Sequence, residues 1–255
     1  HTVVTLTSNT GKTGEVVTAD AVKIGGGMGN IERRIADNLT EEQVSDLSAV
    51  TMIDRLAHNY QLSGYPRFTE GARYWLQWAG VPDSVYSPSH GVNDYNDDYR
   101  CRGLWVNYLA GGSSVIPGKA GLNIPVDLSF AFHSDAGTTK NDDIIGTLGI
   151  YDSHQYGGVF ADGSSRNANH DLCDHVLSSI CNDIRTLYEP KWTRRGMWDS
   201  RYFEAWSPRV PAMLLELLSH ENFADMRYGL DPRFHFTVSR SIYKGILKFL
   251  SDQYG

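Results

Sequence analysis

A chain of 255 residues, 41% of them hydrophobic and 21% charged, has enough apolar material for one large folded domain or a domain plus a small accessory piece. That balance excludes a disordered chain, a coiled coil and a collagen-like repeat, and no apolar run is long enough to span a bilayer. Net charge is −7 with no basic stripe, the densest basic spots being Arg33-Arg34 and Arg194-Arg195, which argues against a nucleic-acid partner.

Residues 1–27 read as a β-hairpin, β-branched on either side of a turn at Ser8-Asn9-Thr10-Gly11-Lys12 and closed by Gly25-Gly26-Gly27. The chain opens on His1-Thr2-Val3, with neither initiator Met nor signal segment, so a processed or truncated piece of something longer is expected. Val44, Leu47, Val50 and Ile53 fall at helical spacing, and residues 68–79 form a second expected helix stopped by Gly80-Val81-Pro82. Residues 87–99 are turn-rich, and a helix is expected over 100–109. Strands are expected over 126–132, 146–151 and 210–217. Amphipathic helices are expected over 171–188 (Leu172, Val176, Ile180 and Ile184 inward) and 237–250 (Val238, Ile242, Ile246 and Phe249 inward). Strands alternating with helices predict an α/β fold: a three-layer core with a mostly parallel sheet flanked by helices, plus a small N-terminal β segment. The three cysteines form no CxxC pair. Cys173 and Cys181 lie about 12 Å apart along one expected helix, beyond disulfide reach.

His133 stands out because it ends an apolar strand and opens the small-residue loop Ser134-Asp135-Ala136-Gly137. Ligands of open α/β sheets collect at such strand ends. A capped, hydrogen-bonded histidine is the plainer alternative. Glu216 lies inside Ala212-Met213-Leu214-Leu215-Glu216-Leu217-Leu218, and a carboxylate in a buried strand needs a partner or a function. Burial would raise its pKa and suit it to general-base work, while an ion pair to an arginine such as Arg195 or Arg209 is the structural reading. His220, four residues on, and Asp135 could line the same pocket. His90 in Ser89-His90-Gly91 reads as a turn. His170 and His175, five apart, share no helical face, and Asp94, Asp97 and Asp98 fit no EF-hand spacing. Nucleophile-elbow and Walker motifs are absent from the sequence.

Two segments, in order, resemble the zinc-dependent N-acetylmuramoyl-L-alanine amidases. Phe130-Ala131-Phe132-His133-Ser134-Asp135-Ala136 is similar to that family's strand-end histidine motif. Val210-Pro211-Ala212-Met213-Leu214-Leu215-Glu216-Leu217-Leu218-Ser219-His220-Glu221-Asn222, followed by Asp225, is similar to its catalytic-glutamate segment. The resemblance covers roughly residues 70–252. Val16 to Gly27 resembles the end of a golvesin-like β-domain, which divides the chain into a β-rich segment, 1–33, and an amidase-like domain, 34–255.

The resemblance implies a metal-dependent amidase that cleaves the bond between muramic acid and the stem peptide, outside the cytoplasm, in the periplasm or at the cell surface. Its partner is then peptidoglycan or a related glycan or peptide. It implies Glu216 as the base, His133 as one zinc ligand, and two further ligands (a histidine and a glutamate) at positions expected upstream of His1, with His90, His220 or Asp135 as possible substitutes. Two other readings stay open: a catalytically incomplete cell-surface module that binds glycan or peptidoglycan, and a polysaccharide lyase.

Overall fold

The computed structural model describes residues 71–255 and, before them, Thr13. The expected hairpin, the segment 1–33 with its boundary at 34, and the helix around Val44 and Ile53 lie outside the described residues.

In chain order the elements are α1 (Ala72–Trp78), α2 (Asp83–Tyr86), α3 (Asp94–Ala110), β1 (Ser129–Asp135), β2 (Thr147–Tyr151), α4 (Asn167–Leu187), β3 (Arg194–Asp199), α5 (Phe203–Trp206), β4 (Ala212–Ser219), α6 (Phe223–Gly229) and α7 (Pro232–Tyr254). The four strands make one mixed sheet, ordered β1-β4-β2-β3, in an α/β fold. β1 pairs with β4 and β2 with β3 in parallel, whereas β2 meets β4 antiparallel. Connectivity explains the reversal. Parallel neighbours need a long crossover, usually helical; α4 supplies one between β2 and β3, but residues 136–146 between β1 and β2 hold no helix.

Helices α4 and α7 cover one face of the sheet. Leu172, Val176, Ile180 and Ile184 of α4 join Phe234, Val238 and Phe249 of α7 over Met213 and Leu215 of β4. The two helices touch at Gly245, where a Cβ would lie 2.5 Å from the Val176 Cα. On the opposite face α5 lays Ala205 on Leu148, Ile150 and Leu214. Helix α3 packs outside α5. Asn107 of α3 ties the two together, donating to the Ser207 carbonyl (2.9 Å) and accepting from the Arg209 N–H (2.8 Å).

Several boundaries differ from expectation for local reasons. Helix α3 starts at Asp94, not at 100, because the polar residues that read as a turn are its cap and first turn. Asn93 accepts from the Asn96 N–H, and Asp94 and Asp97 sit at the positive helix end. Strand β1 starts at Ser129 because its pairing begins where Ala212 follows Pro211. Helix α7 starts at Pro232 behind an Asp231 cap that accepts from the Arg233 N–H. Strand β3 was not foreseen: Arg194-Arg195-Gly196 carries the charges that protect an edge strand and hide its period. All three cysteines are free and buried.

Candidate active site

Register places the site. His133 on β1 pairs with Glu216 on the neighbouring parallel strand β4, so both side chains leave the same face of the sheet near the strands' carboxyl ends. Just beyond, Asp135 pairs with Ser219, so β4 carries one residue more than β1. That bulge turns both Leu217 and Leu218 into the core and ends the regular ladder beside Glu216. Buried Asp225 fixes the loop that follows, accepting from the backbone N–H groups of Ile145 (2.9 Å), Gly146 (3.1 Å) and Ser219 (2.9 Å).

The short helix α5 brings Glu204 over His133, with Oε2 2.9 Å from the His133 Nε2. The other Glu204 oxygen faces Arg102 of α3, whose Nη1 lies 3.4 Å away. Arg102 Nη2 meets Asp98 Oδ2 at 2.6 Å, and Asp98 Oδ1 accepts the Arg73 N–H at 3.0 Å. Charges thus alternate along His133, Glu204, Arg102 and Asp98. Fully buried Arg166 pins α5 from below by donating to the carbonyls of Trp206 (3.0 Å), Pro208 (3.2 Å) and Ala205 (3.4 Å).

The hydrogen bond that the His133 ring donates to Glu204 holds the His133 pKa above its ordinary value despite partial burial. Burial pushes the Glu216 carboxyl up, and the neighbouring His133 charge offsets part of that rise. Glu216 Oε2 is buried without a hydrogen-bond partner. A carboxylate in that state is a proton acceptor with unmade bonds. A cleft of about 630 Å³ opens above, lined by Arg102, Phe132, His133, Ser134 and Glu204 among others. Glu216 sits one strand inward of this wall.

The structure therefore brings His133 and Glu216 together and sets the other candidates around them. His220 is exposed at the rim, its Nδ1 3.1 Å from Ser134 Oγ. Asp135 is held by Arg195 at 2.6 Å. Arg209 lies over the Tyr156 ring, 4.3 Å from its centroid, so neither arginine considered for Glu216 forms an ion pair with it. His90 occupies an exposed turn, His170 meets Asp171, and His175 meets Asp252. Sequence reading missed Glu204 and Arg102. The four-residue spacing of Asp98 and Arg102 on a helix was the available signal for the second, whereas Glu204 lies in a one-turn helix with no period.

A zinc site of the implied kind uses three protein donors and a water. Among the described residues, no group of three or more His, Cys, Asp or Glu side chains is placed to hold a metal ion. His133 and Glu204 bond to each other, the second Glu204 oxygen faces a guanidinium, and Asp135 is tied to Arg195. The described donors by themselves do not complete such a zinc site.

No protein-family profile matches the chain, and no curated protein matches it. Among solved structures it is similar to the N-acetylmuramoyl-L-alanine amidase AmiC2 of Nostoc punctiforme, at 18% identity and TM-score 0.38, over 49% of this chain and 59% of that one. It is similar to the N-acetylmuramoyl-L-alanine amidase of Clostridium difficile 630, at 16% identity and TM-score 0.42, over 60% and 65%. The amidase Ami1 of Mycobacterium smegmatis is matched at 15% identity and TM-score 0.42, over 78% and 83%. The chain spans less than two thirds of the Nostoc and Clostridium proteins.

Proposed function

We propose that this chain is a peptidoglycan hydrolase of the N-acetylmuramoyl-L-alanine amidase type, cleaving the amide between the muramic acid lactyl group and the stem peptide. One observation carries the reading. The two motifs that resemble the amidases stand far apart in sequence, yet their key residues, His133 and Glu216, are register partners, His133 lining the cleft and Glu216 one strand inward with a buried, unpartnered oxygen.

The chemistry follows from those groups. Glu216 takes a proton from water as the water oxygen bonds to the amide carbonyl carbon and the carbonyl electron pair moves onto oxygen. Collapse of this tetrahedral species breaks the C–N bond, and the proton passes to the leaving amine, which yields a lactyl carboxyl and a free alanine amino group. A raised pKa makes Glu216 both a base and, once protonated, a usable acid. When its ring is protonated, His133, oriented by Glu204, favours the ionised form of Glu216 before the attack. Because the described donors by themselves do not complete a zinc site, no step is assigned to a metal.

Such a substrate places the protein outside the cytoplasm. Among the described residues, no helix is long and apolar enough to cross a membrane. The test is digestion of purified sacculi and of a defined muramoyl-peptide, followed by mass spectrometry and labelling of new amino groups. Release of peptides with N-terminal alanine is expected, with Glu216→Gln slower by on the order of 10²–10⁴-fold. Binding without release would instead identify a glycan- or peptidoglycan-binding module.

A further inference from the structure

We propose that Arg102 takes the place of a metal cation in this cleft: the described site is built around a guanidinium, which receives the substrate oxygen that gains negative charge. The inference rests on the amidase reading for the identity of that oxygen, but not for the claim about the cation. Arg102 lines the cleft with His133 and Glu204, and its side chain is 35% exposed where Glu204 is 12% exposed. Its guanidinium is braced from two sides, Nη2 on Asp98 and Nη1 on Glu204. A guanidinium has five N–H donors in a fixed fork. Those two contacts orient it and leave donors for a ligand in the cleft.

The same bracing works against a divalent ion. Glu204 is bonded to His133 through one oxygen while a permanent cation faces the other. A metal between His133 and Glu204 would have to displace the hydrogen bond and accept a positive neighbour. During amide hydrolysis the carbonyl oxygen acquires the electron pair released as water adds, and preorganised donors aimed at such an oxygen are the usual way to stabilise it. The Arg102 fork, joined to His133 through Glu204, is a group in the cleft able to do this.

The experiment compares metal content and turnover in the full chain and four variants. Wild type, equilibrated with zinc chloride and dialysed, should retain well under one zinc per chain and show no saturable zinc heat in calorimetry. Arg102→Glu, which removes the guanidinium and adds a carboxylate beside His133 and Glu204, should take up about one zinc per chain, as a three-donor set allows, and gain melting temperature in zinc. Arg102→Gln, the milder change, should stay zinc-free, fold normally and lose about 10²–10³-fold in kcat on the muramoyl-peptide, with Arg102→Lys recovering part of it. Stoichiometric zinc in wild type that His133→Ala abolishes would overturn the proposal, as would full turnover in Arg102→Gln. The two readings fail separately: a zinc-free, inert wild type removes the amidase reading and leaves the cation claim standing, and a zinc-loaded, active one does the reverse.

Discussion

Glu216→Gln isolates one charge. The amide matches the carboxylate in shape and leaves the buried Oε2 position equally short of partners, so the variant changes chiefly the cost of an ionised group there. Burying a polar group without its hydrogen bond costs about 1–3 kcal/mol by mutational measures. Burial raises the Glu216 pKa above the ordinary 4.5, so the folded chain holds this proton more tightly than the unfolded one. As pH climbs past 4.5 the unfolded chain ionises first, and stability falls until the folded carboxyl ionises as well. Each tenfold difference in proton affinity is about 1.4 kcal/mol, and the attraction of charged His133 offsets part of it. Wild type and Glu216→Gln should therefore melt together near pH ~4 and separate toward neutrality. The variant should end about 1–2 kcal/mol more stable, which in a chain of this size is about 2–8 °C in Tm. Circular-dichroism melts across that pH range measure the gap. If the variant is instead less stable by about 3–5 kcal/mol at neutral pH, Glu216 is half of a buried ion pair and the reasoning fails.

Glu204→Gln should drop the His133 titration midpoint toward the ordinary histidine value of 6.5, since the Glu204 hydrogen bond is the largest cause of its rise; an unmoved midpoint in the imidazole proton resonances would contradict the site geometry. Burial pushes the thiols of Cys101 and Cys173 up to about 12 and that of Cys181 to about 11. Native protein should thus leave Ellman's reagent uncoloured, and all three thiols should react once it is unfolded; rapid native reaction would refute their burial. Gly245→Ala should destabilise by about 1–3 kcal/mol, because the added methyl meets α4 backbone rather than a movable side chain; an unchanged Tm would mean that α4 and α7 do not touch there.

Much of the site was legible because it sits on strands whose burial is written in their composition. His133 closes Phe130-Ala131-Phe132, and Glu216 interrupts an otherwise apolar run, so each is conspicuous as a polar group on a buried element. That the two are register partners could not be read locally, since pairing between β1 and β4 is a tertiary choice made across the length of the domain. The antiparallel step between β2 and β4 was hidden for a related reason: strand alternation suggests crossovers but does not reveal which connection lacks a helix. Nothing local in the sequence separates Arg102 and Glu204 from solvated surface charges. Their roles come from α3 packing on α5, and both helices owe their placement to long-range bonds from Asn107 and Arg166. Capping chemistry was present in the sequence at Asn93 and Asp231, and weighing it would have placed the starts of α3 and α7 correctly.

The most direct test of the central claim is digestion of a defined muramoyl-peptide in ¹⁸O-enriched water, with both products analysed by mass spectrometry. Amide hydrolysis by water that Glu216 has deprotonated predicts one ¹⁸O in the lactyl carboxyl of the sugar fragment, an unlabelled peptide with free N-terminal alanine, and loss of both products in Glu216→Gln. An intact lactyl amide alongside an unsaturated, unlabelled sugar would mean elimination across a glycosidic bond, and would contradict the account.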